Sequence, residues 1–338
     1  MNSSSTPSIT KLFSHLYIER SVLDHPQSKR IMARFERSHV IVIDHYKDVF
    51  NRNHQSFRIQ SRSKKLILAR KSAPFLYEGS FYSDGFDFEN FFYTQSLLGC
   101  LYDCDYCYLQ GLYDSANTVL FVNIEDFFDA LLPYLNRPTL AAISYDTDTL
   151  AIEKLTGQSA EWIAFAADHP NLNLEIRTKS ANFKAIQTCT PSEKIVLAWT
   201  LSPQKIIERY EHRTPSLQAR LRAIRSAIDQ GWQVRICIDP MIYTEDFNTL
   251  YPPLLDDIFL HVKPKSLYSL TLGSFRMSSQ HLKKIKKMRH SDLAFYPYTV
   301  TDNIVAYPKA LEQKMLHIML EKALQYIPKE RIRTWQLQ

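Results

Sequence analysis

Cys100, Cys104 and Cys107 fall within eight residues, in the segment SLLGCLYDCDYCYLQ, and their type and spacing carry the first chemical statement in this sequence. Cysteinate is the usual ligand of iron-sulfur clusters, and three thiolates spaced C-x3-C-x2-C on one short loop can wrap a corner of a cubane and hold three of its four irons. The fourth iron is left open to bind a small molecule and pass it an electron, which is what radical chemistry asks of a carrier. A three-cysteine zinc site and chance clustering are the alternatives. Zinc normally takes a fourth Cys or His from a second paired motif, and neither Cys189 nor Cys237 has such a partner at knuckle spacing.

Three close cysteines make a poor disulfide scaffold in a chain of 338 residues, so a reducing compartment fits better. With only 7 glycines and neither a Walker A nor a GxGxxG pattern, glycine-rich phosphate loops are excluded as the organising motif. Lys and Arg outnumber Asp and Glu, 41 to 35, a balance of +6 that favours a polyanionic partner without demanding one. The content of 45% hydrophobic against 22% charged residues is that of a folded chain. No apolar run reaches the ~20 residues of a membrane span, and MNSSSTPSITKLF lacks the basic-then-apolar pattern of a signal peptide. The expected location is the cytoplasm, with no membrane partner.

The cysteines need elements to position them. Residues 1 to about 85 read as a mixed N-terminal layer, with a helix around 27–37 and an apolar run Val40–Ile43. From about residue 90, short β-branched or aromatic runs alternate with amphipathic helices, the pattern of βα units around a parallel sheet. Expected strands are Phe91–Leu97, Thr139–Ser144, Leu172–Arg177, Ile195–Leu201, Gln233–Ile238, Leu267–Leu272 and Ala294–Tyr298. Asn123 reads as an N-cap with Glu125 and Asp126 in the first turn, Thr214 and Ser216 open a helix over Leu217–Gln230 that Gly231 stops, and a last helix runs from about Lys309 to Tyr326. The fold class is α/β, a partial TIM-type (β/α)6 barrel at residues 89–338 with an N-terminal extension at 1–88 packed on it; an open doubly wound sheet competes.

The cysteine loop, with Tyr106 just before its third cysteine, matches the signature of the radical S-adenosylmethionine (SAM) superfamily. A narrower likeness runs nearly end to end. CDYCYLQ, HLYIERSVLDHP, FVNIEDFFDAL, DTDTLAIEKLTG, RTKS, ERYEHRTPSLQARLRAI and VRICIDPMIY together resemble spore photoproduct lyase and its relatives. That resemblance implies a radical SAM barrel and a [4Fe-4S] cluster on Cys100, Cys104 and Cys107. It further implies cleavage of SAM to a 5'-deoxyadenosyl radical, a DNA substrate carrying a pyrimidine photoproduct, and an unidentified electron donor.

Residue by residue, the resemblance places Tyr106 and Tyr108 near SAM, where tyrosines pass hydrogen back to the cofactor. Lys179 falls where the family sets a lysine on the SAM carboxylate, a charge-assisted contact. Thr200 and Ser202 fall where family hydroxyls approach SAM; as residues they read equally as turn or helix caps. The family's hydrogen-donating cysteine should end the second barrel strand, and here that place reads Ile143-Ser144-Tyr145-Asp146. An alcohol O–H is too strong to serve, which leaves the Tyr145 phenol. Of the two other cysteines, Cys189 and Cys237, the second is the one that a pattern supports: alternation puts Arg235, Cys237 and Asp239 on one face of a strand, although most free cysteines are small core residues.

Lys283, Lys284, Lys286, Lys287 and Arg289 form one basic run, and Arg62, Lys64, Lys65, Arg70 and Lys71 another; either can neutralise phosphates or be a solvated face. The stretch PYTVTDNIVAYPKAL, where the family has a basic, aromatic hairpin, carries one lysine. The first reading is therefore a photoproduct-repairing radical SAM lyase. The second is a radical SAM enzyme acting on RNA, a peptide or a metabolite, and the third a non-catalytic cluster or zinc module that binds nucleic acid.

Overall fold

The computed structural model describes residues 12–36, 39–79 and 88–335. In chain order its strands are β1 (Leu16–Glu19), β2 (Val40–Ile43), β3 (Leu66–Ala69), β4 (Leu76–Glu78), β5 (Asn90–Thr94), β6 (Leu97–Leu98), β7 (Asp103–Cys104), β8 (Thr118–Phe121) and β9 (Thr139–Ala142). They continue with β10 (Leu172–Thr178), β11 (Ile195–Thr200), β12 (Glu211–His212), β13 (Gln233–Met241), β14 (Ser269–Ser274), β15 (Arg276–Ser278), β16 (Thr299–Thr301), β17 (Ile304–Ala306) and β18 (Ile332–Trp335). The chain divides into two units, residues 1–101 with 113–172 and residues 102–112 with 173–338.

In the first unit, β2, β1, β3 and β8 lie side by side and parallel, with β6 antiparallel on β8. The strand Leu66–Ala69 is buried along its whole length, as parallel strands covered on both faces are. Leu16, Ile18, Leu68 and Val122 pack with Ile152 and Leu155 of the helix Thr149–Thr156. That helix begins because the Asp148 carboxylate accepts from the Ala151 amide at 3.0 Å, and it ends on Gly157 at φ +69. Beside this sheet, β4 is antiparallel to β5 and β5 is parallel to β9, a register that sets Tyr77 directly opposite Tyr93.

The second unit is built on five parallel strands in the order β10, β11, β13, β14, β18. The helix Leu217–Asp229 starts where the Ser216 hydroxyl accepts from the Ala219 amide at 3.3 Å, and Gly231 turns the chain at φ +91. A small antiparallel sheet orders β15, β17 and β16, with Asp302 and Asn303 both at positive φ as a two-residue hairpin turn requires. No helix among the described residues is long and apolar enough to cross a membrane.

The α/β class holds, and the expected strands from Phe91 to Leu272 are found within a few residues of their bounds. Ala294–Tyr298 is not a strand. Its first half is the short helix Asp292–Phe295, which buries Leu293 and Ala294, and Pro297, lacking an N–H, precedes the true strand at Thr299. Asn123 stands at the N-cap position of the helix Ile124–Leu131 but does not cap it. Its side chain accepts from the Lys71 amide at 2.9 Å and donates to the Lys71 carbonyl at 3.0 Å. The N-terminal residues form most of a five-stranded sheet, where one strand was expected; the end of the expected helix, Arg37, lies outside the described residues.

Candidate active site

Cys100 closes the first unit, and the backbone before it is held tightly. Gly99 sits at φ +81, and a Cβ there would lie 2.6 Å from the Asn117 carbonyl, so a side chain is excluded twice over. The buried Lys64 ammonium donates to the Cys100 carbonyl. Lys64 is thus part of the loop's scaffold and not of a phosphate-binding face. Its neighbours in the run are likewise engaged, Arg70 with Asp126 at 2.7 Å and Lys71 with the Tyr77 hydroxyl at 3.0 Å.

Cys104 and Cys107 open the second unit. The pair β7 and β12 sets Cys104 opposite Glu211. The Asp105 amide donates to the Tyr210 carbonyl at 2.8 Å, and Gln110 donates through Nε2 to the Cys104 carbonyl at 2.6 Å. Arg289 then staples the loop from outside, donating to Asp103, to Asp105 at 2.5 Å and to the Gln110 side-chain oxygen at 2.7 Å.

Behind Cys104 lies a buried polar nest. Glu211 accepts from the Tyr106 hydroxyl, from Ser202 Oγ at 3.0 Å and from the Arg220 guanidinium. Arg220 also donates to the Thr200 carbonyl at 3.0 Å and to Thr214 Oγ1 at 2.7 Å, so every arm of this fully buried cation is used. Burial pulls the Glu211 carboxyl up, but Arg220, Lys179 and the Tyr106 hydroxyl outweigh it and hold the group below its ordinary value. Burial, reinforced by the Glu211 charge, raises the Tyr106 phenol well above its ordinary value, so it stays protonated and donates.

Lys179 has its ammonium 5.4 Å from the Tyr106 ring centroid. Burial opposes its charge, yet the Cys104 sulfur and the Glu211 carboxylate win and raise its pKa. Tyr108 is half-buried, with its ring 6.4 Å from that of His281. Tyr106 and Lys179 therefore lie beside Cys104, and Thr200 and Ser202 join them through the pair behind it, with the Ser202 hydroxyl taken by Glu211 and the Thr200 carbonyl by Arg220.

The two expected hydrogen donors have other surroundings. Cys237 is fully buried on β13, and burial pushes its thiol up, among Arg177, Glu175, Arg235 and Asp239. Arg276 holds Asp239 at 2.8 Å and stacks on Trp335 at 4.1 Å. Tyr145, three residues past β9, stacks on Tyr93 at 4.3 Å with rings 26° apart, and Tyr93 stacks on Tyr77 at 5.2 Å and 17°. Next to Tyr145, Asp146 accepts from Tyr113 at 2.9 Å and from Gln95.

None of the three cysteines is joined in a disulfide. Among the described residues no three His, Cys, Asp or Glu side chains gather as ligands of a single ion. A cubane does not ask this of its ligands, because each thiolate takes a different iron; the all-sulfur donor set, with a lysine ammonium facing Cys104, fits such a cluster. Glu211 and Arg220 do not stand out in the sequence, and Arg289 does so only as the end of a basic run, not as a partner of the cysteine loop. Arg220 was findable: it interrupts the apolar stripe Leu217, Leu221, Ile224 of its helix, and a charge in a buried stripe calls for a buried partner.

A curated spore photoproduct lyase of Clostridium acetobutylicum is 22% identical over 295 residues, 82% of each chain. One from Bacillus subtilis is 20% identical over 253 residues, 72% of each. A solved spore photoproduct lyase complexed with dinucleoside spore photoproduct superposes with a TM-score of 0.79 at 17% identity, covering 95% of this chain and 98% of that one. A mutant of the enzyme with bound AdoMet and the same dinucleoside gives 0.80 at 17%, over 96% and 99%. The profile of the spore photoproduct lyase family matches residues 12–292, and the chain belongs to that family.

Proposed function

We propose that this radical SAM lyase reverses a pyrimidine photoproduct in DNA and that Tyr145 supplies the last hydrogen. A [4Fe-4S] cluster held by Cys100, Cys104 and Cys107 would supply the electron that splits SAM into methionine and a 5'-deoxyadenosyl radical. Lys179 is suited to the SAM carboxylate, since it is already a desolvated cation beside Cys104. Tyr106 is committed to Glu211, so its part is to hold the loop and Lys179; Tyr108, half-buried, is the phenol able to pass hydrogen. Thr200 and Ser202 shape the SAM pocket indirectly by fixing Arg220 and Glu211.

At the quench, the Tyr145 O–H bond breaks and its hydrogen atom forms the final C–H bond of the product. The phenoxyl radical left behind takes one electron from the one-electron donor and one proton from solvent. Tyr145 is half-buried with its ring stacked on Tyr93, whereas Cys237 is fully buried among charged side chains.

The observation that carries the reading is the gathering of Lys179 and Tyr106 around Cys104 in a chain of this family. It is tested by anaerobic cluster reconstitution, reduction, and measurement of 5'-deoxyadenosine and restored thymine with and without ultraviolet-irradiated duplex DNA. Coupled formation of both is expected. SAM cleavage that irradiated DNA neither stimulates nor follows with repair would favour the second reading, another substrate, which the residue change at Ile143 to Asp146 supports. No SAM cleavage at all would sink the enzymatic reading.

A further inference from the structure

The helix Ser279–Met288 has two faces with different duties. Leu282 and Ile285 are buried, while Lys283, Lys284, Lys286 and Lys287 are all exposed and no acidic residue lies on the helix. The lysine face continues into exposed apolar surface: Lys286 sits 5.7 Å from the Phe295 ring, itself 55% exposed, and Val300 of the neighbouring hairpin is 62% exposed. The hairpin is tied to the helix start by the Ser279 amide, which donates to the Asn303 carbonyl at 2.7 Å. Cations for phosphates next to an aromatic ring for bases is the composition of a nucleic-acid surface.

The opposite side of the same helix bears on the cysteine loop. A Cβ on Gly111 would lie 2.5 Å from the Cα of His281, so the short helix Leu109–Leu112 meets this one backbone to backbone. Tyr108 packs over His281, and Arg289, the residue after the last turn, makes the three-way staple to Asp103, Asp105 and Gln110. Gln110 in turn holds the Cys104 carbonyl.

We infer that this helix docks the sugar-phosphate backbone of the DNA on its four lysines and passes the docking to the loop of Cys104 and Cys107 through Arg289 and the Gly111 contact. The inference rests on the DNA reading above. Its first half is electrostatic and blind to sequence or lesion, because phosphate contacts position without specifying. Its second half makes Arg289 a positioning residue, which touches neither DNA nor cofactor.

The test uses the reconstituted full chain, a short duplex irradiated or not, and three proteins: wild type, the fourfold Lys→Gln variant at 283, 284, 286 and 287, and Arg289→Gln. Duplex affinity is measured against salt, and the paramagnetic resonance spectrum of the reduced cluster is recorded with and without duplex. The fourfold variant should flatten the slope of log affinity against log salt by about two to four, at roughly 0.9 for each phosphate no longer neutralised, with the preference for irradiated over intact duplex unchanged. In wild type the duplex should shift the cluster spectrum. In Arg289→Gln the duplex should bind with wild-type affinity and leave the spectrum still.

A wild-type chain that repairs irradiated duplex while the lysine variant binds with an unaltered salt slope overturns the docking alone. A wild-type spectrum that ignores bound duplex overturns the coupling, with no variant needed. Wild type that binds no duplex removes this inference together with the DNA reading.

Discussion

The nest behind Cys104 and the stack that ends at Tyr145 solve the same problem, holding a phenol in place, by opposite means. Tyr106 is fixed by charge: a fully buried carboxylate and guanidinium surround it, and each group depends on the others to offset its desolvation. Tyr145 is held by shape, in the loop after β9, its ring stacked on Tyr93, which strand pairing sets opposite Tyr77. A charged nest tolerates no partial loss and leaves its phenol unable to change state freely. A ring stack degrades by steps, and Tyr145 within it is half-buried, which suits the hydrogen-donor role proposed for it.

The sharpest way to break this contrast is Glu211→Ala. Removing one partner strands the Arg220 charge, and about 3–5 kcal/mol of stability should go, read by urea unfolding, with iron loading falling in parallel. Glu211→Leu with Arg220→Leu together should cost much less than either alone. The nest also has a pH signature. Because the Glu211 carboxyl is held below its ordinary value, its contribution is present above the unfolded-state value of about 4.3 and is lost as pH falls through the lower folded value. Acid unfolding should therefore move to higher pH in Glu211→Gln, and an unchanged acid limb would contradict the nest.

On the stack, Tyr145→Phe keeps the ring and deletes the O–H. Stability should stay within about 0.5 kcal/mol, SAM cleavage should continue, and restored thymine should be lost in favour of abortive products by chromatography. Tyr93→Leu removes the middle ring and should cost about 1 kcal/mol while only slowing repair. The smallest effect on repair is expected at Cys237→Ala, with turnover unchanged and a stability cost of about 1 kcal/mol from a small buried cavity. Loss of product there, with Tyr145→Phe fully active, would reverse the assignment of the donor.

Much of this was legible in the sequence because it lies in local pattern. The cysteine spacing, the Ser216 cap and the βα alternation are each decided by neighbours along the chain. What was hidden is set by long-range contact. Arg289 lies 184 residues from Asp105, and nothing in the run that carries it distinguishes the staple from the exposed lysines beside it. Lys64 looked like part of a basic face and is buried under the Cys100 loop. Asn123 had the right type and place for a cap, but the Lys71 backbone offered its amide two bonds instead. The segment after Ser291 had strand-like residues, and Pro297 decided otherwise.

The Tyr77–Tyr93 pairing has an optical consequence. Among the described residues β4 is an outer strand, paired on one side, and the side chains of a strand change face with every residue. A slip of one position would turn Tyr77 to the far face and uncouple its transition dipole from that of Tyr93. The near-ultraviolet circular dichroism of coupled tyrosines thus becomes a spectroscopic gauge of strand alignment, readable without cluster, cofactor or substrate.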